Sequence, residues 1–495
     1  MFKQIGRIGA GLAILLATGL LVLTNMGVIR LGAPYIYGVA AATGDRPVAF
    51  VDVNVLPMDE ERVLPGQTVL VRDGVIVALG PAGTVPLPAG ALLVAGNGSY
   101  LLPGLVDMHV HIENENDLLL LVANGVTTAR NMWGNSGRKL WFGLPDQLAL
   151  RQQIAAGHLF GPTIYTAGPI MEGEPAFHPL AEPIRSPAAA VESVRWQAAQ
   201  GYDFVKVYDH LSAEAYEVVL AEAAAQGLPV AGHVPVAVGL DGVLAGGQQT
   251  IEHMSGYIDP DAVKWLIPPD QLADYAERTA AAGVWNVVTL SEYPKSGATP
   301  AGFERLQAQS GLDYLSPGTR LLSPFFYMMT RRSHSYRGAD YPEQVAALNR
   351  QMVAALHDAG AGILLGTDAA QAYHLPGYAV HEELALLVEA GLTPYEAIAA
   401  GSRDAALALG APAAFGTIAP GQRADLLLVD GNPLADVGQL QNRRGVMLRG
   451  RWLPAPELDG LLAGLAASYE PSWLDRLWPL ALLLVGLVSR RFVAK

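Results

Sequence analysis

Two histidines one residue apart, His109 and His111, close the apolar run that begins at Leu105. In an extended strand alternate side chains share a face, which puts both imidazoles on one side with Cα atoms about 6.6 Å apart. Two imidazoles at that separation can grip one metal ion. A His-x-His pair also arises on strand ends with no such role, so the pair needs company. Four more short apolar runs supply it, carrying Lys206, or ending at His233, His253 and Asp368. The chain contains no cysteine, so it has no thiolate ligand, thiol nucleophile or disulfide, and any metal must rest on nitrogen and oxygen.

For these groups to meet, the strands that carry them must lie side by side. Between residues 105 and 412 short apolar strands alternate with helical stretches, the pattern of a parallel α/β sheet. Strands are expected around His109 and over 128–132, 164–168, 204–208, 230–234, 250–254, 285–289 and 363–368. Eight is the number a closed (β/α)8 TIM barrel needs, and in such a barrel the C-terminal strand ends share one mouth. His109, His111, Lys206, His233, His253 and Asp368 all fall at or near such ends. Helices are expected over 213–226 and 345–359, with Gly227 and Gly360 just beyond them. The connection from Leu290 to about Tyr341 is unusually long and reads as a lid or a substrate-facing insertion.

Residues 45–104 have a different character. Val48–Leu56 is strand-like, and Thr68–Leu79 reads as two strands turning at Asp73-Gly74, a strong hairpin signal. A second β block occupies 413–455, with strands at Ala424–Asp430 and Val446–Leu453. The economical arrangement is one small composite β-sandwich domain, split in sequence by the barrel inserted into it.

The formal charge of −14 and the lack of any Lys/Arg-dense run argue against binding to a phosphate backbone, so nucleic acid is not an expected partner. The ends are apolar. Ile8–Ile29 follows Lys3 and Arg7 and is long enough to cross a bilayer core of about 30 Å, so residues 1–30 are expected to form a transmembrane anchor or signal. Residues Ala40–Ala42 would suit a cleavable signal, which is the alternative. Residues 473–489, with Trp473, Trp478 and the run Leu480–Val488 ahead of Arg490 and Arg491, are expected to form a C-terminal hydrophobic anchor helix. Counted from Leu477 its apolar core is only about 12 residues, so an interfacial or core-docked helix competes. The positive charges lie outside both segments, which predicts cytoplasmic termini and an extracytoplasmic central domain, periplasmic if the source is bacterial.

The His-x-His pair, the Lys206 strand, His233, His253 and the Gly-Thr-Asp368 ending together resemble the amidohydrolase superfamily, in its imidazolonepropionase-like and prolidase-like branch. The resemblance extends to Gly125–Thr128, His381–Leu384 and the Asp425–Leu428 strand with its following Gly431-Asn432-Pro433. It implies a metal-dependent hydrolase of carbon–nitrogen bonds holding two divalent ions, zinc being the expected metal. His109 and His111 would take one ion and His233 and His253 the other, with Asp368 completing the first. Lys206, carboxylated by carbon dioxide, would bridge them as a carbamate. A hydroxide between the ions would attack the scissile carbonyl, with Asp368 carrying the proton to the leaving nitrogen.

The expected substrate is a small amide, a dipeptide among the candidates. A mononuclear cyclic-amide hydrolase or deaminase with unmodified Lys206 is the nearest alternative, and a membrane-anchored binding domain without turnover is the alternative from another class. The same metals also cleave C–O and P–O bonds. Tyr208, His210, Tyr257 and His374 follow ligand-bearing strands and are expected substrate contacts. Arg331, Arg332, His334 and Tyr336 in the long seventh loop could bind a substrate carboxylate, but the expected reading there is a solvated surface patch. Glu252 should face away from His253 and is left outside the site. His158, His178 and His357 have no motif support. Related barrels often assemble, so a homo-oligomer is compatible with the sequence.

Overall fold

The computed structural model describes residues 46–134, 145–259, 264–292, parts of 304–323, and 341–469, apart from positions 177, 179, 180 and 372. The apolar terminal stretches 1–30 and 473–489 lie outside the described residues, as do Arg331, Arg332, His334 and Tyr336. Among the described residues no helix is long and apolar enough to cross a membrane.

The two β blocks form one eight-stranded sheet. Its first half supplies Val48–Val55, Leu64–Arg72, Val75–Pro81, Leu92–Ala95 and Tyr100–Pro103, and its second half Leu426–Val429, Arg443–Leu448 and Arg451–Pro454. The joint is antiparallel, with Leu101 opposite Leu428 and Leu102 opposite Leu427. Phe50 and Trp452 sit four strands apart, about 19 Å in a flat sheet, yet their ring centroids are 5.1 Å apart. The sheet therefore folds over on itself, around a core that includes Val53, Val69, Leu101, Leu426 and Met447.

Between the halves lies the barrel. Leu105–Val110, Val126–Asn131 and Thr163–Thr166 pair in parallel, and Val205–Val207, Val230–Gly232, Thr250–Glu252, Trp285–Val287 and Ile363–Leu364 continue the series. The bridge from Ala167 to Phe204 joins strand three to strand four. Closure comes where Met108 N–H donates to Leu365 O at 2.8 Å and Val110 bridges Ala369. Each strand expected from the sequence is present, most of them shorter than expected.

The helices form for local reasons. Ala213–Gln226 starts at Ser212, whose hydroxyl accepts from Ala215 N–H, and stops at Gly227 in a left-handed conformation. Ala215, Tyr216, Val219 and Ala223 recur at helical spacing and are the residues it buries, each larger one contributing about 1.5–3 kcal/mol if fully removed from water. The later helix spans Tyr341–Asp358 and begins a turn earlier than its apolar pattern suggested. Its first turn is polar, so periodicity could not mark its start.

Candidate metal centre

Strand one is clamped to strand eight just beneath the two histidines. Buried Asp107 accepts from His109 N–H at 3.1 Å, Thr367 N–H at 3.1 Å and the Thr367 hydroxyl at 2.7 Å. Burial pushes its carboxyl up to about 6 despite those bonds. Gly366 permits the close approach, since a Cβ there would lie 2.3 Å from Val287 Cγ1 and 2.9 Å from His109 N. Gly232 plays the same part beside strand four: its φ is +132° and a Cβ would sit 2.1 Å from Val207 O. Gly232→Ala is therefore expected to lose at least about 1–3 kcal/mol of stability, read as a lower urea midpoint with unchanged slope; an unshifted midpoint would show that strands four and five have room to separate.

Strands six, seven and eight end in a sharper device. His253, Thr289 and Asp368 have φ values of 59°, 47° and 60°, a left-handed conformation that costs non-glycine residues about 1–3 kcal/mol each and clusters at functional sites. Each turn redirects its side chain out of strand alternation and into the mouth.

There the polar atoms converge. His109 Nε2 and His111 Nε2 face Asp368 Oδ1 at 3.1 Å and 2.8 Å. The rings of His109 and His253 lie 4.4 Å apart by centroid, and those of His233 and His253 5.1 Å. One nitrogen of three imidazoles is already fixed: His109 Nδ1 by Glu252 at 2.7 Å, His233 Nδ1 by Asp209 at 2.9 Å and His253 Nδ1 by Thr289 Oγ1 at 2.8 Å. A carboxylate accepts only, so Nδ1 of His109 and His233 carries a proton, and in the neutral tautomer this selects, Nε2 is the nitrogen with the lone pair. His233 Nε2 is buried with no hydrogen-bond partner. His109, His111 and Asp368 form one group of possible ligands within 4.8 Å, and His253, Glu292 and Asp368 another. Lone pairs on imidazole and carboxylate, aimed at one point in a buried setting, fit a divalent transition metal.

Burial sets the protonation states. It lowers His111 to about 4 and His253 well below its usual value, so both are neutral near pH 7, the form that ligates. Lys206, 2% exposed, is lowered by burial as well, with Asp368 and Glu252 partly opposing. Beneath His109, burial raises the Glu252 carboxyl, but Arg130 and His109 outweigh it and hold Glu252 well below the carboxylate range.

Sequence reading missed several of these groups. Glu252 supports the site directly, through His109, because the left-handed turn at His253 breaks the alternation that would have separated them. Arg130 is buried, donates to Glu252 Oε1 at 2.7 Å and to Met108 O at 2.6 Å, and no spacing rule marks it. Glu292 reaches the site from the seventh strand's end, 3.7 Å from His253 Nδ1. Trp133 lies on His111 with centroids 4.1 Å apart, and His178, without motif support, lies 5.5 Å from Tyr208 and 6.1 Å from Trp133.

Of the expected substrate contacts, Tyr208 is at the centre, its ring 3.9 Å from His233. His210 sits at the rim, with Nδ1 3.1 Å from Glu172. Tyr257 is corrected: it is fully buried, and its hydroxyl lies 2.8 Å from Thr279 Oγ1 in the surrounding helix layer. His374 lies beside the Asp368 turn, as buried as Lys206, with Nε2 donating to Thr367 O at 2.7 Å. It braces the turn that presents Asp368. Tyr257 follows a ligand strand in sequence, but its loop folds back into the protein.

A second brace is Glu383, fully buried, which accepts from Leu290 N–H at 2.8 Å and Ser291 N–H at 2.7 Å. Burial raises it to about 7 from an ordinary 4.5. The folded protein then keeps this proton up to about 7 while the unfolded chain releases it near 4.5, so stability from this group falls as pH rises through that window. Glu383→Gln, which has no proton to release, is expected to flatten that decline in thermal midpoint; parallel curves for both proteins would refute it.

Comparisons with known proteins identify the family. The model of the amidohydrolase family matches residues 100–453. An uncharacterized protein of Mycobacterium tuberculosis is 28% identical over 387 residues, covering 72% of this chain and 85% of its own. Among solved structures, a bottromycin amidohydrolase aligns with a TM-score of 0.69 at 25% identity, covering 91% of this chain and 97% of its own. A putative prolidase from Bifidobacterium longum aligns at 0.64 and 24% identity, covering 85% and 99%. The chain belongs to the amidohydrolase family and is a hydrolase of carbon–nitrogen bonds.

Proposed function

We propose that this protein is a membrane-tethered, two-metal amidohydrolase that cleaves the amide bond of a small substrate such as a dipeptide or N-acyl amino acid. The observation that carries the reading is the set of imidazoles whose Nδ1 atoms are held by Glu252, Asp209 and Thr289 while neighbouring nitrogens converge on Asp368. His109, His111 and Asp368 would hold one ion, and His233 and His253 the other. The depressed Lys206 amine, neutral more readily than a solvated one, would add carbon dioxide, lose a proton and lie between them as a carbamate. When bound, the ions supply an acidified water at neutral pH and polarise the scissile carbonyl.

The chain's own residues do the rest. Asp368 turns Oδ1 toward His109 and His111 and offers Oδ2, held by Gln371 Nε2 at 2.5 Å, as the oxygen that takes a proton from the attacking water and returns it to the leaving nitrogen. Tyr208, against His233, is placed to orient the substrate carbonyl. The test is metal analysis with a hydrolysis screen over dipeptides and N-acyl amino acids. Two ions per chain and zinc-dependent cleavage are expected; substoichiometric metal together with no metal-restored hydrolysis would overturn the reading. His109, His111 and Asp368 are grouped closely enough to hold an ion by themselves, which favours the single-ion deaminase or cyclic-amide reading second. One ion per chain and an unmodified Lys206 in a high-resolution map would select it.

The tether rests on the apolar runs near both ends of the sequence. Full-length protein is expected to sediment with membranes through a high-salt wash and to be cut by protease in spheroplasts. Release by salt, or protection from protease, would count against that topology.

A further inference from the structure

Near the centre, four buried nitrogens have no hydrogen-bond partner: His109 Nε2, His111 Nδ1, His233 Nε2 and Trp133 Nε1. Unprotonated, the three imidazole nitrogens each present a lone pair, the kind of group a metal ligates. An indole N–H only donates and cannot ligate a metal. Buried donors are rarely left unpaired, because each costs about 1–3 kcal/mol.

The indole is also held in place. Asn131 Nδ2 donates to Trp133 O, and the same Asn131 accepts from Ile112 N–H at 2.9 Å with its Oδ1, tying the strand-two end to the loop after His111. Gly134 N–H donates to Gly168 O at 3.0 Å, and a Cβ on Gly134 would lie 2.3 Å from Ala167 O, so the next residue is pressed against strand three. The ring lies tilted by 38° on His111 at 4.1 Å, with the His178 ring 6.1 Å away on its path toward Tyr208. Trp133, His178 and Tyr208 thus form an aromatic wall running from His111 to His233.

We propose that Trp133 is a substrate-binding residue, its Nε1–H donating to an oxygen acceptor of the substrate while its ring forms the flat wall beside the scissile bond. The acceptor is a carboxylate or carbonyl oxygen of an acyl amino acid, so the inference rests on the amide-hydrolase reading and narrows its substrate. Two substitutions separate donor from wall: Trp133→Phe removes the N–H and keeps a ring, and Trp133→Leu removes both.

The experiment is calorimetric titration of zinc-loaded wild type and both variants with N-methanesulfonyl-L-alanine, whose sulfonamide resists cleavage, and with its carboxamide counterpart. Wild type is expected to bind, Trp133→Phe about tenfold more weakly for a charged acceptor, and Trp133→Leu more weakly still. A carboxylate partner makes the Trp133→Phe loss larger for the acid than for the carboxamide, and a carbonyl partner makes the two losses equal. Equal affinity of wild type and Trp133→Phe for both probes, or no binding of either probe by wild type, overturns the proposal. Thermal midpoints of all three proteins, expected within a few degrees, exclude misfolding as the cause. Because the probe is not cleaved, binding without any hydrolysis in the screen would sink the amide-hydrolase reading and leave the Trp133 donor standing.

Discussion

Asp368→Asn in zinc-loaded protein is expected to lower kcat by about 10²- to 10⁴-fold, the usual worth of a positioned proton carrier, while KM moves only a few-fold. The amide keeps the size of the carboxyl and can keep the contact with Gln371, but it cannot accept a proton from water. On the two-metal proposal, losing the carboxylate would also weaken an ion held with His109 and His111, so metal content is expected to fall by at most one ion per chain. Steady-state kinetics with metal analysis on the same sample separates the two effects. A variant that keeps two ions and loses less than tenfold in kcat would remove Asp368 from the proton path.

The largest stability change should come from below the site rather than within it. Arg130 is 2% exposed and Glu252 fully buried, and the guanidinium also lies 5.3 Å from the centre of the Phe204 ring. Arg130→Met leaves the Glu252 charge buried and uncompensated, an arrangement that costs about 3–5 kcal/mol. Much of that loss should return in the double variant Arg130→Met/Glu252→Gln, because the orphaned charge has gone. Urea midpoints of the metal-free proteins give the comparison, and a double variant as unstable as the single one would show that the guanidinium acts through packing. Both variants should bind zinc about 10- to 100-fold more weakly than wild type, since Glu252 orients His109.

What the sequence made legible follows from where each rule holds. The gathering of the six residues at one mouth was readable because each lies at or near the end of a short apolar run, and a closed parallel barrel turns such endings the same way. The joining of residues 48–103 with 426–454 was readable because two short β blocks flank one α/β insert, and a single composite sheet is the economical way to house both. Glu252 was misjudged since alternation applies only to extended backbone, and His253 at φ 59° has left it. Tyr257 was misjudged because position after a strand says nothing of which way a loop turns. Arg130, Trp133 and Glu292 carry no periodic signal at all. Their roles exist only between elements, in contacts such as the 2.7 Å from Arg130 to Glu252.

The split sheet also imposes an order in time. Ser99 and Asp430 are hydrogen-bonded at 2.9 Å yet stand 331 positions apart, so the ribosome takes on the order of tens of seconds to deliver the second after the first. Throughout that interval the strand Tyr100–Pro103 has no Leu426–Val429 beside it, and the apolar Leu101 and Leu102 edge stays open to any other chain. The last strands made are therefore the ones that seal the first, and a chain interrupted before residue 426 would leave a sticky edge however well its barrel had formed.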